Sequence, residues 1–191
     1  GTWSPWTFHN EAGELTGFDI EVVRAIAGRL GVEATFAEGE WDGLLAGLDS
    51  GRYDTMANGV SVTPEREEKC DFTEPYAYNR IVVITRSDSD IASIEDLDGK
   101  TTANTLGSSY ATLAESYGAT NTGVDDFNQT IQLLESGRID ATLNDEVVFQ
   151  DYMNQHPEAE LKVAAENDEP THVAFPLRRE AATERLLDAM N

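Results

Sequence analysis

The sequence contains few basic residues, a single cysteine and no long apolar run. Lys and Arg number 13 against 36 Asp and Glu, which gives a formal net charge of −23. Nucleic-acid backbones are bound by clustered Lys and Arg, so this shortage argues against a nucleic-acid partner. The single Cys70 excludes an intrachain disulfide and a cysteine-based metal cluster. The longest aliphatic stretch, residues 81–84, is too short to cross a bilayer.

The excess of acid has two explanations that composition alone leaves open. A strongly acidic surface repels itself at low ionic strength and is typical of halophilic proteins, whose salty solvent screens the repulsion. The alternative is an ordinary acidic protein from a high-GC organism. The sequence starts at Gly1 without Met and stops at Asn191 within a helical pattern. We therefore expect both ends to be trimmed, with any signal peptide or lipid anchor before residue 1.

Familiar catalytic and metal-binding templates are missing. The sequence has no HExxH, GxSxG or GKS/T pattern, and His9, His156 and His172 lack metal-ligand spacing. Cys70 lies among acidic residues, which predicts a raised thiol pKa and argues against a nucleophile. These absences predict a protein that is not an enzyme and needs no metal or cofactor.

Apolar spacing predicts helices that alternate with short strands. Ile20, Val23 and Ala27 recur at helical spacing. They predict a helix over residues 19–30 that ends on Gly31. Further helices are predicted over residues 44–48 and 108–117, and strands over residues 32–36, 53–57, 80–85 and 100–104. This alternation predicts an α/β fold with a mostly parallel sheet.

An internal similarity links the two halves of the sequence. Residues 41–58 align without gaps to residues 127–144, and both contain Ser-Gly-Arg-x-Asp ahead of a predicted strand that ends on Asn. The preference of helix ends for Gly explains part of this match by chance, but two similar α/β lobes explain it better. Ligands of open α/β sheets bind at the carboxyl ends of the strands. The residues after the two strands are therefore predicted to line opposite walls of one cleft.

Arg66 is a candidate for binding an anion. It stands at the third position of a helix predicted to start at Thr63 and Pro64, where the positive helix end disfavours a cation. A bound carboxylate would remove that conflict, because the guanidinium fork binds it bidentately beside the hydroxyl of Ser61. A solvated Arg66 paired with a neighbouring Glu explains the residue equally well.

Two further groups of polar residues are candidates in the second half. Gly107, Ser108 and Ser109 precede a predicted helix and offer amide and hydroxyl groups, although Gly-Ser-Ser is also an everyday N-cap sequence. Asp145 follows the second aligned strand and is the candidate partner of an ammonium group. With 36 acidic residues in the chain, any single acid is weak evidence.

Four motifs resemble the polar amino-acid-binding proteins of ABC importers, the family 3 solute-binding proteins. They lie in residues 1–23, 57–76, 106–110 and 137–146. The resemblance covers nearly the whole chain. It implies the fold of type 2 periplasmic binding proteins, an α/β fold with two Rossmann-like lobes, two crossover segments and a ligand cleft between the lobes. The expected lobes are residues 1–83 plus 176–191 and residues 84–175, with crossovers near residues 80–86 and 171–177.

The resemblance also implies a role for each site residue. Arg66 would bind the α-carboxylate of the ligand with Ser61 and Ser109. Asp145 would bind the α-ammonium together with the backbone carbonyl of Gly59. The other expected ligand-binding residues are Trp3, Trp41, Asn58, Gly107 and Ser108.

The motifs around residues 41–49 and 56–66 most resemble the cystine- and cysteine-binding branch. The implied protein is an extracytoplasmic, monomeric receptor, either periplasmic or lipid-anchored, that delivers a polar amino acid to a membrane permease. One alternative is the ligand-sensing ectodomain of a chemoreceptor or kinase. Another is an enzyme similar to the cyclohexadienyl dehydratases, but its general acid would have to be Asp145, which the ligand ammonium already occupies.

Overall fold

The chain divides into two compact units. The computed structural model describes residues 3–191, and at Ala182 only the backbone; residues 1 and 2 of the expected first lobe lie outside the described residues. Unit 1 contains the chain up to residue 78 together with residues 172–191, and unit 2 contains residues 79–171. The expected boundaries at residues 83 and 175 therefore differ from these by a few residues. The strand after residue 80 belongs wholly to the sheet of unit 2.

The elements follow one another as short strands and helices. In chain order they are β1 (Phe8–His9), β2 (Leu15–Thr16), α1 (Phe18–Leu30), α2 (Trp41–Asp49), α3 (Pro64–Glu67), β3 (Cys70–Phe72), β4 (Ala77–Asn79), β5 (Ile81–Arg86), a 3-10 turn (Glu95–Leu97), β6 (Thr101–Thr105), α4 (Ser109–Ser116), β7 (Thr120–Val124), α5 (Phe127–Glu135), β8 (Ala141–Asp145), α6 (Glu146–Gln155), β9 (Leu161–Glu166), β10 (Thr171–Val173), β11 (Pro176–Arg178) and α7 (Ala181–Met190). Unit 1 contains the antiparallel pairs β1–β2 and β3–β11. The boundaries between the units fall within β4 and β10, which pair with each other.

Helix α1 confirms the helix predicted from apolar spacing. Ile20 and Ala27 are buried on its inner face. Gly31 adopts the left-handed conformation at the C-cap, and its amide donates to the carbonyls of the last turn. The predicted start of α3 is also confirmed, because the Thr63 hydroxyl accepts a hydrogen bond from the Arg66 amide and Pro64 occupies the first helical position.

Two strands predicted for unit 1 are wrong. Residues 32–36 form no strand, and in residues 53–57 only Thr55 makes an isolated bridge, to Leu177. Both segments line an open groove of about 440 Å³. A strand exists only where a neighbouring strand takes up its amides and carbonyls, and among the described residues no strand pairs with residues 32–36. Val32 is accordingly 59% exposed.

Unit 2 is built around one five-stranded sheet with the order β7-β6-β8-β5-β9. β6 runs parallel to β7 and β8, whereas β5 is antiparallel to both β8 and β9, so the sheet is mixed rather than mostly parallel. The first five residues of β5 are buried. Helices α4, α5 and α6 contact the sheet. The α/β class predicted from the sequence is confirmed.

The charged residues of the described chain form their ion pairs near the surface. Lys69 and Glu65, for example, pair with side chains that are 63% and 72% exposed. Such pairs contribute about 0–1 kcal/mol each and weaken as salt is added. Within residues 3–191, no helix combines the length and the apolar character that a membrane span requires.

We expect the melting temperature to rise steadily with KCl into the molar range. The net charge of −23 produces self-repulsion, and screening becomes effective above roughly 0.1 M, where the Debye length falls to about 10 Å. Salt also weakens the exposed ion pairs, but this lowers the stability little, because each pair contributes only about 0–1 kcal/mol. Scanning calorimetry in KCl measures the effect, and a flat or falling melting temperature would favour the ordinary acidic protein over the halophilic one.

Candidate functional site

Arg66 lies in a small cluster with Ser61 and Trp41 in unit 1. The Nη1 group of Arg66 donates a hydrogen bond of 2.9 Å to the backbone carbonyl of Ser61. The guanidinium carbon stands 5.1 Å from the centre of the Trp41 ring, which is a cation–π distance. Ser61 is buried, and Arg66 and Trp41 are half-buried. The sequence-predicted residues of this group are therefore in direct contact.

The segment of residues 58–61, called here the 58–61 loop, lies beside this cluster and is buried throughout. The Asn58 side-chain oxygen accepts a 2.6 Å hydrogen bond from the Thr7 hydroxyl. Thr7 in turn forms an isolated antiparallel bridge with Trp3. Trp3 and Asn58 are thus connected through Thr7, and the six predicted site residues of unit 1 belong to one neighbourhood.

Asp19 is the residue of this neighbourhood that the sequence analysis missed. Its carboxylate accepts a hydrogen bond of 2.7 Å from the Gly59 amide and one of 2.9 Å from the Tyr76 hydroxyl, and it is fully buried. Burial raises the pKa of Asp19 from 3.8 to about 6, although the hydrogen bonds from Gly59 and Tyr76 lower it. The sequence did carry a signal, because Asp19 stands four residues before Val23 on the apolar face of α1.

Gly59 adopts a backbone conformation that suits glycine alone. Its φ is +60°, and a Cβ at this position would stand 3.0 Å from three atoms of the Trp6 ring. Trp6 is 6% exposed, so its ring has little room to move. The 58–61 loop therefore depends on a residue without a side chain at its second position.

The serines predicted as ligand-binding residues lie at the start of α4 in unit 2. Ser108 is the N-cap: its hydroxyl accepts from the Ala111 amide at 3.2 Å and donates to the Thr105 carbonyl at 2.6 Å. This capping role is the everyday alternative considered for the Gly-Ser-Ser sequence. Ser109 is the first residue of α4 and is half-buried, and Gly107 is exposed with a φ of +69°.

Asp145 ends β8 and stands at the N-cap position of α6 in unit 2, where its side chain makes no capping hydrogen bond, and it is 1% exposed. The preceding Asn144 accepts a 2.8 Å hydrogen bond from the Asp145 amide through its side-chain oxygen.

The two aligned segments of the sequence agree in the helices α2 and α5, and each segment ends on a buried Asn, Asn58 or Asn144. Only the second half continues into a paired strand.

Neither a reactive thiol nor a metal centre emerges from the described residues. Cys70 is buried, and burial, together with the nearby Asp49, raises the pKa of its thiol, as the sequence predicts. In residues 3–191, no group of three or more His, Cys, Asp and Glu side chains is arranged to bind a metal ion.

The chain is similar to a known family over most of its length. The sequence model of the bacterial extracellular solute-binding proteins, family 3, matches residues 1–151. A probable amino-acid ABC transporter-binding protein of Haemophilus influenzae is 42% identical over 176 residues, covering 92% of this chain and 68% of that protein. The L-cystine-binding protein TcyA of Bacillus subtilis is 40% identical over 181 residues, covering 94% of this chain and 67% of TcyA.

The fold also matches that of a solved amino-acid-binding protein. An ancestral arginine-binding protein bound to arginine superposes with a TM-score of 0.89 at 32% identity, covering 99% of this chain and 85% of that one. The predicted type 2 periplasmic-binding-protein fold is thereby confirmed.

We expect Gly59→Ala to destabilise the protein by about 2 kcal/mol or more. The left-handed conformation costs an alanine about 1–2 kcal/mol, and the Trp6 ring must also shift. Gly13→Ala is the matched control, because Gly13 has a φ of +78° but nothing within 4 Å of an added Cβ. Urea unfolding of both variants measures the difference. Equal losses would show that contact with Trp6 contributes nothing at Gly59.

Proposed function

The chain belongs to family 3 of the bacterial extracellular solute-binding proteins, and we propose that it binds a polar L-amino acid and delivers it to the permease of an ABC importer. L-cystine, or its reduced half L-cysteine, is the first candidate ligand. Members of this family are extracellular or periplasmic transport proteins. We propose that this chain acts there as a monomer, without a catalytic step.

The observation that carries the proposal is the arrangement around Arg66. Its contacts with the Ser61 carbonyl and the Trp41 ring fix the plane of the guanidinium. A guanidinium in a fixed plane binds a carboxylate through two parallel hydrogen bonds, and binding costs less side-chain entropy when the group is already ordered. We assign the ligand α-carboxylate to Arg66, with the hydroxyls of Ser61 and Ser109 as further donors.

Asp145 is proposed as the partner of the ligand α-ammonium, together with the Gly59 carbonyl. Its carboxylate is 1% exposed, and a carboxylate withdrawn from water gains most from a cation that replaces the lost hydration. Gly107 and Ser108 are proposed to shape the ligand site through the backbone, since the Ser108 hydroxyl caps α4. Trp3, Trp41 and Asn58 are proposed to surround the ligand side chain.

Two considerations favour cystine over a basic amino acid. TcyA, whose name gives L-cystine as its ligand, is 40% identical to this chain, against 32% for the arginine-bound ancestral protein. A basic ligand such as arginine also needs a second acid in the site, which pairs with its side-chain guanidinium. Of the two acids in the candidate site, Asp145 is assigned to the α-ammonium, and Asp19 is buried and bonded to Gly59 and Tyr76.

Thermal-shift screening of the 20 amino acids and L-cystine tests this function. A ligand at 100 times its Kd stabilises a protein by about 2.7 kcal/mol, so we expect a clear rise in melting temperature with L-cystine. A larger rise with L-arginine would contradict the choice of cystine, and no rise with any amino acid would contradict the function. Intact-mass analysis controls for disulfide exchange with Cys70, which its burial and raised pKa should suppress.

We expect Arg66→Ala to weaken L-cystine binding at least about 30-fold while the protein stays folded. Removing one partner of a desolvated charge pair costs about 2–5 kcal/mol, mostly because the ligand carboxylate loses its partner. Calorimetric titration measures the change. Arg52→Ala is the matched control, since Arg52 also stands over an aromatic ring, that of Tyr53, but outside the proposed site. Unchanged affinity in Arg66→Ala would refute its assignment.

We expect Asp145→Asn to weaken binding about tenfold or more, because a charged contact with the ligand ammonium becomes neutral. Asp151→Asn, a change on the following helix α6, serves as the control and should bind normally. N-acetylated ligand provides a second readout, since it lacks the ammonium and should bind the wild type poorly. If the acetylated ligand binds as well as the free one, Asp145 has a different role.

A further inference from the structure

The Gly59 amide donates to a side chain, whereas Val60 and Ser61, which follow it in the 58–61 loop, contact the backbone of residues 172–174. The Val60 carbonyl accepts from the Ala174 amide at 3.1 Å, and Ser61 forms a bridge with Val173. Gly59 instead donates to the Asp19 carboxylate at 2.7 Å. Glycine restrains its own backbone least of all residues, so the direction of this peptide depends on that hydrogen bond.

Asp19 is itself fixed from several sides. It stands in the first turn of α1, where a carboxylate interacts favourably with the helix dipole. Its amide donates to the Trp6 carbonyl at 3.1 Å, and its second carboxylate oxygen accepts from the Tyr76 hydroxyl. The Tyr76 ring stacks on Phe175 with the centroids 4.3 Å apart. A carboxylate held this firmly can restrain the loop that bonds to it.

We propose that Asp19 is a positioning residue for ligand binding, because its carboxylate fixes the peptide that joins Asn58 to Gly59, on which the placement of the Gly59 carbonyl and of Ser61 depends. The proposal rests on the function proposed above, in which both groups touch the amino acid. Asp19 acts on one side of Gly59, and the bond between Ala174 and Val60 acts on the other. Together they fix the backbone on both sides of a residue that would otherwise rotate freely.

The strength of this restraint depends on the charge of Asp19. Two groups bond to the carboxylate, the Gly59 amide from the loop and the Tyr76 hydroxyl from the segment before β4, while the Trp6 carbonyl bonds to the backbone amide of Asp19. None of them carries a charge at neutral pH. Protonation of Asp19, whose pKa is about 6, turns the Gly59 bond from charge-assisted into neutral and so roughly halves its strength.

Stability and affinity should therefore respond to pH in opposite directions. The pKa of Asp19 is about 6 in the folded protein and 3.8 ordinarily. The folded state therefore binds the carboxyl proton of Asp19 more tightly than the unfolded state does. The contribution of Asp19 to stability is then largest below about pH 4, falls as the pH rises to about 6, and is level above it. Affinity should instead rise over the same range, because the charged carboxylate fixes the loop.

The experiment compares wild type with Asp19→Asn, which keeps the shape of the side chain but not its charge. Glu21→Gln is the matched control, an exposed acid on the same helix paired with Arg24. Calorimetric titration with L-cystine from pH 5 to 8 should show wild-type affinity rising about fivefold. Glu21→Gln should follow the wild type, whereas Asp19→Asn should bind weakly and with a flatter pH profile. The melting temperature of Asp19→Asn, taken relative to that of wild type at the same pH, should increase as the pH is raised from 4 to 6.

A ligand-free measurement separates this proposal from the proposed function. In the wild type, the amide resonance of Gly59 should titrate with a midpoint near pH 6, and in Asp19→Asn this titration should be absent. If wild type binds no amino acid, the proposed function fails, and the Gly59 titration alone decides whether Asp19 fixes the loop. Wild-type affinity and pH profile in Asp19→Asn, or a Gly59 amide that does not titrate in wild type, would overturn the positioning role.

Discussion

Every buried amide and carbonyl needs a hydrogen-bond partner, and this constraint shapes the two units differently. Unit 2 meets it with a five-stranded sheet. In the described part of unit 1 the strands form short pairs, so side chains bond to its backbone instead. Asp19 accepts from Gly59, Arg178 donates to the Tyr53 carbonyl at 2.6 Å, and Thr55 donates to the Pro176 carbonyl at 2.9 Å. The 58–61 loop, which carries three of the six predicted site residues of unit 1, therefore depends on individual side chains rather than on a continuous sheet.

The same constraint explains how the few cations of this acidic chain are used. Arg66 donates to the Ser61 carbonyl, Arg86 to the carbonyls of Leu134 and Ile139, and Arg178 to that of Tyr53. Each of these arginines orders a turn or the end of a helix. The planar guanidinium, with its five donors, suits this task better than the ammonium group of lysine. Arg66 is the one of these three that lies in the candidate ligand site.

Local patterns predicted the helices better than the strands. The spacing of Ile20, Val23 and Ala27 was sufficient for α1, and Thr63 with Pro64 for the start of α3, because a helix satisfies its hydrogen bonds within its own segment. Residues 32–36 have the composition of a strand, yet among the described residues they have no paired neighbour. A strand depends on a second segment whose position the local sequence does not encode. The antiparallel direction of β5 within its sheet escaped the prediction for the same reason.

The sequence by itself determined the family, the α/β class and the residues proposed to bind the ligand, because these follow from motifs whose side chains are read directly. It also predicted the raised thiol pKa of Cys70 from its acidic neighbours. Only the tertiary structure decided that Arg66 rests on Trp41 and bonds to Ser61, that Ser108 is occupied as a cap, and that Asp19 reaches Gly59. Asp19 and Gly59 are separated by 40 positions in the chain. A pairing at that distance is selected by the packing of whole elements, which brings the buried Asp19 carboxylate to the Gly59 amide.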